Sequence, residues 1–473
     1  LIGEAFDRGR PAAITPLLVP VLFGFLVGFA LCALRVYQRS LAWRSKGGGG
    51  LRSRTLVVGA GDAGEATVRE LARLPNGDHE IIGLVDDNPE KAHLLIHGRP
   101  VLGTIDELPR LVVDHSIDEV LVAMPSARGE VIRRVYELCA PSEARVRTLP
   151  SVAAVASAPE SISRQFREIE IEDLLRRAPI HTDLRKIAGY LSGEHVMITG
   201  GGGSIGSELA RQIARLSPAS IILVGKGENS VYEIEQELIQ AAGMTPIAVV
   251  ADVRDTVAME RVYAEYRPTV VFHAAAHKHV PLMQRNPYEA IRNNVLGTLN
   301  VGELALRYGV KKFILISTDK AVKPSSVMGA TKRICEKIVA ALAIRGDTEF
   351  AAVRFGNVLG SRGSLIPLLK AQIKRGGPVR ITHQEMTRFF MTIPEAVQLV
   401  VQAGALGSRG EVFVLDMGEP VRINDLALDL VRMHGLRPGV DIGVQYTGMR
   451  PGEKLHEELL YDAEDLVASS HPK

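Results

Sequence analysis

From Thr15 to Leu34 the chain runs through about 20 uncharged, mostly apolar residues, TPLLVPVLFGFLVGFALCAL, enough to cross a hydrocarbon core as a helix. Arg35, Arg39, Arg44 and Lys46 follow with no acid among them, whereas Arg8 and Arg10 are accompanied by Glu4 and Asp7. That asymmetry predicts that everything after residue 35 lies in the cytoplasm. Residues 1–46 therefore read as a membrane anchor. Leu1 stands where an initiator Met is expected, which reads as a piece of a longer protein. The glycine run of Ser45–Gly50 holds neither helix nor strand and reads as a flexible linker.

The pattern then changes to short β-rich runs alternating with stretches of helical period. Thr55–Gly59 is a strand, Gly59, Gly61 and Gly64 give GxGxxG, a helix follows to Leu74, and EIIGLVDD forms a second strand reaching Asp86. Strands at Glu119–Ala123 and near Val146–Leu149 complete a first Rossmann-like domain over 51–150, and 151–190 reads as a linker. A second strand–glycine–helix start, HVMITGGGGSIG, spans His195–Gly206. Strands at 221–225, 246–251, 269–275, 311–317 and 349–355 continue the alternation, as a doubly wound parallel sheet requires. Past residue 360 the pattern turns irregular, which suits a small lobe covering a substrate. The predicted fold is α/β: an anchor helix, a first Rossmann-like domain, and a doubly wound catalytic domain over 191–473.

Composition narrows the function. A net charge of +2 gives no electrostatic ground for nucleic-acid binding. Cys32, Cys139 and Cys335 are scattered, with neither disulfide nor zinc spacing. His273, His277 and His279 form HxxxHxH, but they end a strand and have no spaced carboxylate or Cys to complete a site, so no metal is assigned.

The chemistry gathers in the second Rossmann unit. Gly200, Gly203 and Gly206, with Ser204 and Ile205 between them, lie where missing side chains let backbone N–H groups and a helix N-terminus approach a pyrophosphate. Asp252 and Val253 end a later strand, where a carboxylate can meet a cofactor adenine. The ribose-binding position, usually acidic, is Lys226, which suits a 2′-phosphate and tilts the choice between NAD and NADP towards NADP. In the first unit, Asp86 follows its GxGxxG at the spacing of an NAD fingerprint, yet no proton-handling pair follows.

Five segments carry a resemblance: MITGGGGSIGSEL, HAAAHKHVPL, STDKAVKPSSVMGATK, RFGNVLGSRGS and TRFFMT. They resemble the CapD-like, membrane-bound nucleotide-sugar 4,6-dehydratases of capsule and glycan biosynthesis, a branch of the extended short-chain dehydrogenases. The resemblance implies a tightly bound NAD or NADP, held also by Ala274 and Lys332, and a UDP-N-acetylglucosamine substrate. It implies Asp319 as the acid for the departing C6 hydroxyl and Lys320 as the base for the C5 proton. Met328 stands where the wider superfamily carries the Tyr of Tyr-xxx-Lys, and a thioether takes no proton, so the C4 base must be another group such as Thr318 with a water. His277, Lys278, Asn294, Asn357, Arg362, Arg388, Arg450 and Glu453 match the family's nucleotide-sugar contacts. Thr298, on the same helix as Asn294, resembles a position near the active site. A homo-oligomer at the bacterial inner membrane, with its catalytic domain cytoplasmic, is also implied. A UDP-sugar 4-epimerase shares the fold and the C4 oxidation but needs no Asp-Lys pair. A silent nucleotide-binding scaffold would need none of these residues.

The orientation is tested by a reporter fused after Lys46. Activity of a cytoplasmic reporter is expected, and activity of a periplasmic one would reverse the assignment.

Overall fold

The structure, a computed structural model, describes residues 53–73, 79–142, 144–150, 161–175, 184–407, 409–461, 467, 469 and 471. The apolar run at 15–34 lies outside the described residues. Among the described residues, no helix is long and apolar enough to cross a membrane. The chain divides into two compact units, one centred on residues before 126 and the other running from Ile169 to the C-terminus.

The first unit is a seven-stranded sheet. Strands β1 (Ser53–Val58), β2 (His79–Val85), β3 (Leu95–Ile96), β4 (Arg99–Gly103), β5 (Glu119–Val122), β6 (Arg145–Thr148) and β7 (Arg167–Glu168) lie in the order β3-β4-β2-β1-β5-β6-β7. The inner pairings are parallel, and the two edges, β3 on β4 and β7 on β6, are antiparallel. Helices α1 (Asp62–Arg73), α2 (Leu108–Asp114) and α3 (Gly129–Cys139) connect them. The predicted strands all form. Gly59 takes φ +100°, and a Cβ on Gly64 would come 1.9 Å from the Gly59 carbonyl oxygen, so α1 starts hard against the glycine loop. Asp86 is already engaged: it accepts from the Ala60 N–H at 2.7 Å and from the Lys91 ammonium at 3.1 Å.

In the second unit, helices α4 (Ile171–Leu174) and α5 (Leu184–Leu191) precede another seven-stranded sheet. Its strands are β8 (His195–Thr199), β9 (Ser220–Gly225), β10 (Ile247–Val250), β11 (Val270–His273), β12 (Lys312–Ile316) and β13 (Glu349–Arg354), closed at one edge by residues 409–414. The order is β10-β9-β8-β11-β12-β13 and then that edge strand, parallel throughout. Burial runs almost unbroken along each central strand, as it must when helices cover both faces. One face carries α5, α6 (Ser204–Ala214), α7 (Glu228–Ala242) and a helix at 393–406. The other carries α8 (Thr256–Tyr266), the helix at 297–307 and the helix at 327–343. The chain reverses strand order between β8 and β11, and the loops leaving those two strands meet there: a Cβ on Gly200 would lie 2.8 Å from the Ala275 nitrogen.

After β11 come α9 (Val280–Arg285), α10 (Pro287–Ala290), a π-helical stretch at Ile291–Leu296, α11 (Gly297–Arg307) and α12 (Val327–Ala343). From residue 357 onward the chain is more regular than its sequence suggests. It holds β14 (Asn357–Val358), α13 (Leu365–Lys374), β15 (Val379–Ile381), β16 (Thr387–Arg388), β17 (Phe390–Met391), α14 (Ile393–Leu406), β18 (Arg409–Val414), β19 (Val421–Arg422), α15 (Ile423–Met433) and β20 (Val444–Tyr446). Helix α14 escaped the pattern because it is sunk in the core: Val397, Leu399, Val400 and Val401 are all buried, so no polar face marks its period.

One fully buried ion pair ties these parts together. Arg354 at the end of β13 donates to Glu336 of α12 through Nε at 3.1 Å and a terminal nitrogen at 2.9 Å. Glu336 also accepts from the Ser317 hydroxyl at 2.7 Å and from Arg333 at 2.9 Å, while Arg354 donates to the Leu459 carbonyl at 2.9 Å. Removing one partner of such a pair strands the other charge away from water and costs about 3–5 kcal/mol. Arg354→Met is therefore expected to lower the unfolding free energy of the second unit by that order, read as a lower urea midpoint. A variant with an unchanged midpoint would show that the pair contributes little.

Candidate active site

Most groups singled out in the second unit lie on the loops and helix starts that follow β8, β9, β10, β11, β12 and β13, while Arg388 comes from β16 and Arg450 and Glu453 from the segment after β20. Segment by segment, local chemistry explains the placement.

Gly200 has φ +70°, which admits the tight turn out of β8, and a Cβ on Gly206 would sit 2.2 Å from the Gly200 carbonyl oxygen. Gly203 is the N-cap of α6, and its own N–H donates to Gly200 at 2.8 Å. The loop thus leaves a side-chain-free cradle at a helix N-terminus, which fits a dinucleotide diphosphate. Ile205 packs against the core below, and the chain around Ala274 lines the opposite wall of the crevice. Lys226 is exposed just past β9. Asp252 is clasped by Arg254, whose guanidinium donates to both carboxylate oxygens at 2.7–3.0 Å and to Glu289 at 2.8 Å. The Arg254 bonds hold the Asp252 carboxyl below the usual carboxylate range. Val253 is buried beneath the crevice, and its carbonyl accepts from Asn300.

Arg362 lies at this cradle, not beside Lys320. Its N–H donates to Ser204 Oγ at 3.2 Å and its guanidinium reaches Glu233 at 3.0 Å. Lys278 donates to Ser361 at 3.3 Å, so residues 358–364 strap the loop after β11 to the glycine loop.

That β11 loop is held by one amide. Asn294 accepts from the His277 N–H at 2.8 Å and donates to the His277 carbonyl and to Thr331, each at 3.0 Å. The π-helical stretch turns Asn293 and Asn294 together into the interior, a use of π turns common at functional sites. His273 is fully enclosed, bonded to Thr199 at 2.7 Å and Thr298 at 3.0 Å, and burial beside Lys332 pushes its pKa down to about 3. It is a neutral structural link. Burial likewise lowers the pKa of Lys332. Met328 packs with Met283 and Ala290 in a small apolar cluster.

The Asp319–Lys320 pair follows β12. Ser326 caps α12 by accepting from the Gly329 N–H at 3.0 Å. A Cβ on Gly329 would come 2.2 Å from the Lys320 carbonyl oxygen, so the first turn of α12 presses directly on the 3₁₀ turn Asp319–Ala321. Asp319 is completely buried; its Oδ1 accepts from the Thr318 hydroxyl at 2.8 Å and from the Lys320 ammonium at 3.0 Å. Asn357 accepts from the same ammonium at 3.0 Å. Beside Lys320 a pocket of about 100 Å³ is lined by Arg388, Glu453, Lys454, Ser325, Ser326 and Glu457. Arg388 is buried and donates to the Thr387, Lys454 and Leu455 carbonyls, which anchors the 452–457 loop. Arg450 is exposed, its N–H bonded to Glu453 at 3.1 Å. Sequence reasoning missed Glu457, which lies in EKLHEELL and has no local mark distinguishing it from its charged neighbours.

A doubly wound sheet with a glycine cradle at its switch point, and a Thr-Asp-Lys triplet one strand further on, defines an extended short-chain dehydrogenase of the nucleotide-sugar dehydratase and epimerase type. Residues 196–473 match the family model described as polysaccharide biosynthesis protein, and 19–150 match one described as CoA-binding domain. The chain is 46% identical over 439 residues to the capsular polysaccharide biosynthesis protein CapD of Staphylococcus aureus, covering 92% of this chain and 72% of that protein. It belongs to the CapD-like polysaccharide biosynthesis family. It is 37% identical to an inverting UDP-N-acetylglucosamine 4,6-dehydratase of Campylobacter jejuni, over 59% of this chain and 83% of that one. A UDP-glucose 4-epimerase of Rickettsia akari is also 37% identical, over 58% and 79% of the two chains. Overall likeness therefore does not separate the two reactions, and the site residues must.

The tightness of the cradle is tested by Gly206→Ala. The added methyl meets backbone rather than a mobile side chain, so the loop has to shift. Dinucleotide Kd, by calorimetry, is expected to rise at least about tenfold, or about 1.4 kcal/mol. Unaltered affinity would mean that the diphosphate does not sit on this loop.

Proposed function

We propose that the chain is a UDP-N-acetylglucosamine 4,6-dehydratase that makes a UDP-4-keto-6-deoxy sugar for surface polysaccharide or protein glycan assembly. The observation that carries this reading is the Asp319–Lys320 pair, buried and braced beside the pocket. Epimerisation at C4 has no use for an acid and a base aimed at C5 and C6. The 4-epimerase remains the second reading because its relative is equally similar. Attachment to a membrane through 15–34, with the catalytic unit on the cytoplasmic side, belongs to the same proposal.

Gly200, Gly203, Ser204, Ile205 and Gly206 would hold the diphosphate of NAD or NADP, and Asp252 would face the adenosine end. Lys226, with Arg254 near by, favours a 2′-phosphate there. When bound, the nicotinamide supplies hydride acceptance from C4 and hydride return to C6.

The chain's residues handle the protons. The Thr318 hydroxyl, already donating to Asp319 Oδ1, takes the C4 hydroxyl proton and passes its own towards that carboxylate. Asp319 then protonates the departing C6 hydroxyl, so the O4 proton leaves in the product water. Lys320 removes the C5 proton, made acidic by the C4 ketone, and gives a proton back to C5 once C6 is reduced. Met328 takes no part, in keeping with its apolar packing. Arg388 and Glu453 would bind the nucleotide end, together with Arg450.

Two variants separate the roles. Lys320→Ala is expected to bind UDP-sugar normally, to lose dehydration by about 10²–10⁴-fold, and to stop deuterium entering C5 from solvent. Asp319→Asn is expected to stop water loss and also to slow reduction of the bound cofactor and C5 exchange, because it removes the acceptor of the O4 proton, whereas Lys320→Ala still reduces the cofactor. Wild-type exchange in Lys320→Ala would remove Lys320 as the base.

A further inference from the structure

The pocket beside Lys320 holds an acid that the reaction above does not use. Glu457 is buried, with Oε1 3.7 Å from the Lys320 ammonium and 3.9 Å from Arg388 Nε. Its Oε2 is enclosed without a hydrogen-bond partner. On the far side of the same ammonium, Asp319 Oδ2 is likewise enclosed and unpartnered. Two buried carboxylates thus face one ammonium, and the terminal nitrogens of Arg388 donate to backbone carbonyls while its Nε stands 3.9 Å from Glu457. The charged groups facing Glu457 are Lys320, Asp319, Arg388 and Lys454, with Glu453 lining the same pocket. Burial is the largest influence and raises the pKa of Glu457; Lys320 opposes it, Asp319 adds to it, and the net direction is upward.

A lysine that is to remove a C5 proton must first hand on its own, and the oxygens that Lys320 faces belong to Asp319, Asn357 and Glu457. Asp319 cannot take that proton without confusing two deliveries, because its task is to protonate the departing oxygen at C6. We infer that Glu457 is the proton store of Lys320, a positioning residue that acts on the sugar only through the lysine. This rests on the dehydratase reading. As the sugar enters, an N–H bond of Lys320 breaks and an O–H bond forms on Glu457, leaving a neutral amine and a neutral carboxylic acid. A buried charge on Glu457 and a half-buried one on Lys320 vanish together, which the partial exclusion of water from the pocket favours. The amine then takes the C5 proton and later returns it, after which Glu457 gives its proton back, so no proton is gained or lost over the cycle. The 3.7 Å gap is closed by about half to one ångström of side-chain movement or by one bridging water.

The test uses the full chain with NADP and UDP-N-acetylglucosamine, following kcat, KM and C5 deuteration across pH. Glu457→Gln keeps the shape but cannot accept a proton. It is expected to lower kcat and C5 exchange together by about 10²-fold or more, with KM within about threefold of wild type. The acid limb of its kcat profile is expected to move to higher pH, because Lys320 must then lose its proton to solvent. Glu457→Asp is expected to recover part of the rate and to return the limb towards wild type. A Glu457→Gln enzyme with wild-type kcat and an unmoved limb, or with raised KM alone, overturns the inference. If thermal melting shows Glu457→Gln unfolded, Glu457→Asp decides: lowered kcat with C5 exchange lowered in parallel supports the store, and a wild-type profile overturns it. Failure of the dehydratase reading is distinct, since the wild-type enzyme would then release no water and exchange nothing at C5.

Discussion

The catalytic half of this molecule hangs on the ion pair between Glu336 and Arg354, both fully enclosed. Its cost in desolvation is met only because every oxygen of the carboxylate and much of the guanidinium is bonded. The partners come from four places: the end of β12 through Ser317, the end of β13, the middle of α12 and the C-terminal segment through Leu459. Tyr461 adds a lid of aromatic surface, with the Arg333 guanidinium 4.3 Å from its ring centre and its hydroxyl bonded to the Ala321 carbonyl at 2.7 Å. The turn carrying Thr318, Asp319 and Lys320 is therefore gripped at both ends. A neutral core would pack this region as densely but would not set the direction in which these segments leave the sheet.

From that grip the rest of the pocket follows. With β12 and α12 fixed, Gly329 brings the helix onto the Lys320 carbonyl, and Asn357 meets the ammonium from β14. Arg388 and its carbonyl bonds then carry residues 452–457 to the other side of Lys320. The turn at Asp319–Lys320 and the loop at 452–457 are more than a hundred residues apart in sequence, yet each is placed by a short chain of bonds.

Much of this was legible in the sequence. The central parallel strands of both sheets stood out because they are short apolar runs between turn residues, and the glycine spacing had a strand before it and a helix after it, whereas the short strands at 95–96, 99–103 and 167–168 and the edge strand at 409–414 did not. What stayed hidden has two physical causes. Helix α14 is buried nearly all round, so the contrast that reveals a helix is absent. Glu457, Glu336 and Arg354 look like ordinary surface charges, because a sequence records that a residue is charged but not whether water reaches it. The residues matched by motif fall into two groups in space: Arg362 sits with the glycine cradle, whereas Lys320, Arg388 and Glu453 share the pocket.

The strap of residues 358–364 has a consequence for enzyme economy. It is bonded to the loop after β11 through Ser361 and to Ser204 at the N-terminus of α6 through the Arg362 N–H, so it borders the cradle. In an ordinary dehydrogenase such a strap would throttle turnover, since the spent coenzyme must diffuse away each cycle. A dehydration that hands its hydride back to the same sugar regenerates the oxidant in place. For such a catalyst a nearly captive coenzyme is no handicap, and throughput becomes independent of the cell's ratio of oxidised to reduced pyridine nucleotide.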